Sequence, residues 1–98
     1  MICQIGDVAH ELATRSLENG DVRRARMASA VGRMVDPITE VYWRDSLRAE
    51  FQAGDTAGIE RLITQLEQHL ADIDEGYEPD PETQALIDQL RGRYAEAA

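Results

Sequence analysis

The stretch "ENGD", Glu18 to Asp21, returns in near copy as "QAGD", Gln52 to Asp55, so that Gly20 and Gly54 stand 34 residues apart. A glycine in this setting stops a helix by taking the left-handed conformation that other residues resist. The aspartate after it accepts hydrogen bonds from the first free amides of the next helix. A stop and a start signal recurring at a fixed interval constrain the chain to helix-turn-helix units of one period. Each such unit has an apolar face that stays unburied until a neighbouring unit stacks on it.

The segments between these signals read as helices. Ile5, Val8, Ala9, Leu12, Ala13 and Leu17 recur at spacings of three and four, which predicts one core-facing stripe on a helix from Ile5 to Glu18. Val22, Ala25, Ala28, Ser29, Gly32 and Val35 continue the period in a second helix, whose small residues at 25, 28, 29 and 32 admit a neighbouring helix closely. Pro37 biases Asp36 away from helical angles and suits a first helical turn, so a third helix is predicted from Pro37 to Gln52, with Val41, Trp43, Leu47 and Phe51 as its heaviest apolar residues. Ile59, Leu62, Ile63, Leu66, Leu70 and Ile73 mark a long fourth helix. Gly76 and Pro79 make "EGYEPD" a linker, with Tyr77 as its apolar anchor. Asp80 is then placed to cap a fifth helix that has Pro81 at its first position and Leu86, Ile87, Leu90 and Tyr94 on its inner face, while the final "AEAA" is expected to fray. The predicted fold is all-α: four helices in two antiparallel hairpins plus a C-terminal capping helix, in one domain over residues 1–98. Aromatic residues make up only 5% of the chain, and Ala, Leu, Ile and Val dominate its apolar set, which favours thin, closely packed helices.

Charge excludes several function classes. The formal net charge of −9 argues against direct nucleic-acid contact, which draws its affinity from clustered cations. All ten cations are arginine, so a P-loop lysine, a Schiff-base lysine and a serine-lysine dyad are all ruled out. The single cysteine, Cys3, closes no intrachain disulfide and has no histidine or acid at a spacing that suggests a nucleophile. No apolar run approaches the roughly 20 residues of a membrane span, and the first residues lack the layout of a signal peptide. A soluble, cytoplasmic chain without membrane insertion is expected.

Two motifs imitate metal sites and fail on spacing. "HELAT", His10 to Thr14, has threonine where a zinc-protease helix needs its second histidine, which leaves His10 as a half-exposed helix residue. "DIDEG", Asp72 to Gly76, begins like a calcium loop but lacks the third oxygen ligand and the closing glutamate. No catalytic, cofactor-binding or metal residue is therefore assigned, and an enzyme is not expected. Arg23, Arg24, Arg26 and Arg33 form a local basic patch on the second helix, either a solvated face or a docking surface for an acidic partner. Arg44 and Arg48 lie one turn apart on one face of the third helix, suited to bidentate contact with a carboxylate or to salt bridges with Glu40 and nearby acids.

The 34-residue period resembles the tetratricopeptide repeat. Leu12 and Ala13 stand at the leucine and small-residue positions of its first helix, Ala25 at the small position of the second, Pro37 at the end of the repeat, and Trp43 at the tryptophan position of the next. Ser29, Gly32, Leu47 and Ile59 depart from the pattern. "GDTAGIERLITQLEQHLADIDEGYEPDPETQALIDQL", Gly54 to Leu90, is more specifically similar to the end of the bacterial transcriptional activator domain, a tetratricopeptide-like module of bacterial, notably actinobacterial, regulators, and "EPDPETQAL" carries its Pro-flanked last helix. The resemblance implies a non-catalytic module for protein association in a transcriptional regulator or signalling protein, excised from a longer chain that often carries a winged-helix DNA-binding domain. A related arrangement implies the alternative of a homodimerisation or scaffold segment in a LysM-containing envelope protein. It also implies that His10, Thr14, Arg44 and Arg48 face a concave groove, where they would meet a protein or peptide partner bearing an acidic motif.

Overall fold

Gly20 and Gly54 both take left-handed backbone, with φ of 76° and 74°. Asp21 and Asp55 each follow as the cap of a helix, accepting hydrogen bonds from the amides of Arg24 at 3.1 Å and Gly58 at 2.8 Å. The repeated punctuation thus produces the same turn twice. The computed structural model describes the backbone of residues 3–76 and 78–97 and the side chains of residues 7–76 and 78–95. It contains five helices, α1 (Cys3–Glu18), α2 (Val22–Val35), α3 (Val41–Ala53), α4 (Thr56–Ile73) and α5 (Pro81–Ala97), and no strand among the described residues. The fold is all-α.

Each of the first three helices packs on the next, and α3 also packs on α1 and on α5. The result is a slab with extents of 44 × 37 × 19 Å, about two helix diameters thick, so every helix keeps a face near solvent. The heavy core lies in its C-terminal part. Trp43 and Leu47 from α3, Ile59, Leu62, Ile63, Leu66 and Leu70 from α4, and Leu86, Ile87 and Leu90 from α5 form one buried cluster, with Phe51 and Tyr94 packed against it. Ile73, expected to close the stripe of α4, is exposed.

The α2–α3 junction is built from small residues. Ala25, Ala28, Ser29 and Gly32 are buried. The ring of Tyr42 lies so close to Gly32 that a Cβ there would sit 2.5 Å from Cδ1. Ser46 donates to Ser29 Oγ at 2.9 Å across the same contact.

Three expectations need correction. Helix α3 begins at Val41, not Pro37, because Asp36 to Glu40 is held as a loop. Thr39 Oγ1 donates to Asp36 Oδ2 at 2.6 Å, and the Pro37 carbonyl accepts from the indole Nε1 of Trp43 at 3.3 Å. In α1 the buried residues are Ala9, Ala13 and Ser16, whereas Val8 and Leu12 face out. The small stripe of α1 is turned inward because close helix approach uses it, and the larger aliphatic residues are left at the edge. The tail expected to fray is helical through Ala97. Ala98, Tyr77 and the side chains of Cys3 and Ile5 lie outside the described residues.

Candidate functional site

The four residues expected to line a groove go to different partners. His10 Nδ1 reaches Asp45 Oδ2 at 2.6 Å, and Arg48 Nη1 lies 3.7 Å from Asp45 Oδ1, so α1 and α3 meet over a carboxylate that is 1% exposed. Burial pushes the Asp45 carboxyl above the usual range, against the opposing pull of the His10 hydrogen bond and the charges of His10, Arg48 and Arg44. Thr14 is exposed and donates to the His10 carbonyl in its own helix at 2.9 Å. Arg44 turns away from this cluster to α5. Its Nη1 donates to the buried Thr83 Oγ1 at 2.9 Å, and its Nη2 lies 3.4 Å from Glu82 Oε2. A parallel tie runs from the Asp80 amide to the buried Glu40 carboxylate at 2.9 Å.

His10 and Arg48 are therefore brought together, while Arg44 serves as a clamp whose side chain is only 14% exposed. Glu40, expected as an ion partner of Arg44 and Arg48, instead accepts from the Asp80 amide, and Asp45 and Thr83 are the residues that reading the chain missed. The only sequence signal for them is polar character at helix positions that neighbour the core stripe.

The basic patch on α2 is also divided. Arg26 makes a two-pronged contact with Glu50, through Nε at 2.9 Å and Nη2 at 2.6 Å. The Arg33 guanidinium carbon lies 5.0 Å from the Trp43 ring centroid, and Trp43 stacks in turn on His69 with centroids 5.9 Å apart. Burial lowers the Arg33 pKa, with the charge of Glu50 opposing. Arg24 faces Asp21 at 3.7 Å, and Arg23 makes no ion pair with any described residue. At the far end of the slab, Arg91 and Tyr94 both donate to Glu60 and pull its carboxyl down to about 2.

A different surface stands open. An apolar groove of about 610 Å³ runs between α1 and α2, lined by Val8, Ala9, Leu12, Met27, Ala28 and Val31, with Arg24 at its edge. Val8 is 62% and Met27 63% exposed, and Met34 continues the Met27–Val31 stripe at helical spacing. Arg23 joins Arg24, Asp21 and Met27 around an adjoining hollow. Among the described residues no three His, Cys, Asp or Glu side chains converge as a metal ion requires, and no helix is long and apolar enough to cross a membrane.

The fold and this surface define an all-α helical stack with an apolar groove left open among the described residues. Comparisons with protein-family models, curated proteins and solved structures find no match.

Proposed function

We propose that this chain is a non-catalytic association module, a stack of tetratricopeptide-like hairpins that serves a bacterial transcriptional regulator or signalling protein in the cytoplasm by binding another protein. The observation that carries this reading is the groove between α1 and α2. Val8, Leu12, Met27 and Val31 are all more than 40% exposed around one hollow, which is how an interaction surface differs from scattered apolar residues. The resemblance of Gly54 to Leu90 to bacterial transcriptional activator domains supplies the regulatory context. Elsewhere the polar side chains support the scaffold: Asp45, Arg44 and Glu40 join helices to one another.

A photo-crosslinking residue placed separately at Met27, Arg48 and Gln65 tests the reading in the cells that make the protein. The probe at Met27 is expected to give an adduct with another protein. The absence of a protein adduct at all three positions refutes the association reading.

A further inference from the structure

We infer that the α1/α2 groove seats an amphipathic helix of a partner protein, with carboxylates on the edge that faces α2; this rests on the association reading above. The fold itself shows what shape fits. A shift of one 34-residue period carries Val8 and Leu12 onto Tyr42 and Ser46. Those two residues are covered by a helix, α2, which meets them with Gly32 and Ser29. The corresponding face of α1 has no described helix on it. Its complement is a helix that presents small and aliphatic side chains, as α2 does to α3.

The same shift carries Met27 and Val31 onto Arg61 and Gln65, which are exposed and polar. Stacking of the repeat therefore does not require apolar residues at these places. Their apolar character is specific to the α1/α2 layer and fits a covered surface.

Charge selects the partner. Val22–Val35 contains four arginines and no acid. Glu50 occupies Arg26, and Trp43 lies under Arg33. Arg23 and Arg24 remain beside Met27 at one end of the groove, and the exposed contact of Arg24 with Asp21 is a weak one. On the α1 edge, Glu11 and Arg15 pair with each other at 2.7 Å. A second copy of the chain carries the same net charge of −9, and repulsion between two such chains disfavours it as the occupant.

The test uses the full chain and a fluorescein-labelled, end-capped helical peptide of about 18 residues, long enough to hold helical structure, with a Leu/Ala face and glutamates along one flank. Two controls accompany it: the same peptide with every Glu changed to Lys, and a scrambled peptide without an apolar face. Fluorescence anisotropy is expected to show micromolar binding of the acidic peptide. Binding should weaken at least about tenfold for the Lys peptide at low salt, with the gap closing as salt is added. Met27→Glu and the pair Arg23→Glu, Arg24→Glu should each weaken it by a similar factor. All three positions are exposed, and circular dichroism verifies that the variants remain folded.

No binding, indifference to Met27→Glu, or tighter binding of the Lys peptide overturns the inference. So does sedimentation equilibrium that finds the unmodified chain a dimer and the Met27→Glu chain a monomer, since the groove then belongs to a second copy. A protein adduct at Met27 in cells, combined with a failed peptide titration, removes the acidic helix and leaves the association reading standing.

Discussion

Replacing Gly32 with alanine measures how closely α2 and α3 approach. An added Cβ would lie 2.5 Å from Tyr42 Cδ1 and 2.7 Å from Cγ, whereas ordinary contact begins at 3.4 Å. The ring, or α3 with it, must retreat by about 0.9 Å. Tyr42 is 5% exposed, and the hydrogen bond between Ser46 and Ser29 ties the same two helices one turn away, so the retreat is resisted. Overpacking of this kind costs about 1–3 kcal/mol. Alanine in a helix interior recovers about 1 kcal/mol relative to glycine. Gly92 in α5 supplies the control, because a Cβ built there meets nothing within 4 Å beyond its chain neighbours and its own helix backbone. Gly92→Ala should stabilise the protein by up to about 1 kcal/mol and Gly32→Ala should destabilise it by about 1 kcal/mol. Their difference, about 2 kcal/mol, removes the shared propensity gain and reports the packing alone. Urea unfolding read through the single tryptophan, Trp43, measures both variants. Equal stabilisation by the two substitutions would refute the close approach and with it the small-residue account of the α2–α3 junction.

Three further outcomes follow from the geometry. Asp21→Ala and Asp55→Ala should each cost about 1 kcal/mol in urea unfolding through the loss of a helix cap. The loss should be somewhat larger at Asp55, whose carboxylate faces two arginines, Arg61 at 3.5 Å and Arg26 at 3.9 Å, where that of Asp21 faces Arg24 at 3.7 Å. Leu66→Ala, at a position 1% exposed in the centre of the main cluster, should cost about 2–5 kcal/mol and lower the urea midpoint with an unchanged slope. Glu60→Gln should flatten the acid limb of the stability profile. The folded carboxyl titrates at about 2, below its ordinary 4.5, so its contribution is fully present above pH 4.5 and is lost as pH falls towards 2. The Glu60 and Arg91 side chains are 46% and 45% exposed, and solvent screening reduces the effect at pH 7 to about 1 kcal/mol. Asp45 acts in the opposite sense, its raised pKa giving a contribution that is greatest at low pH and declines as pH rises through that value. The difference between the profiles of the unmodified chain and Glu60→Gln isolates the first effect.

The polar line along α1, α3 and α5 has a consequence for the association reading. Arg44 is engaged by Thr83 and Glu82, and Arg48 lies 3.7 Å from Asp45, so a partner carboxylate arriving at either competes with a group already in place. The α1/α2 groove imposes no such exchange, because its walls are aliphatic. Burial of apolar surface is available there without breaking an internal ion pair.

Features set by a few neighbouring residues were legible in the sequence. Gly20 and Gly54 end helices because the left-handed turn is cheapest for glycine, and Asp21 and Asp55 begin the next ones because a short carboxylate reaches amides three residues on. The stripe of α4 up to Leu70, the inner face of α5 and its start at Pro81 were readable for the same local reason. Tertiary structure decided the rest. Periodicity shows that α1 has an apolar side, but Ala9, Ala13 and Ser16 compete with Val8 and Leu12 for the interior, and only the closeness of the packed neighbours turns the small set inward. The start of α3 depends on the Pro37 carbonyl meeting the Trp43 indole, and the burial of Asp45 depends on His10, 35 residues earlier, arriving across the helix interface. Such contacts join residues that have no local relation in the chain, and they exist only after the helices have stacked.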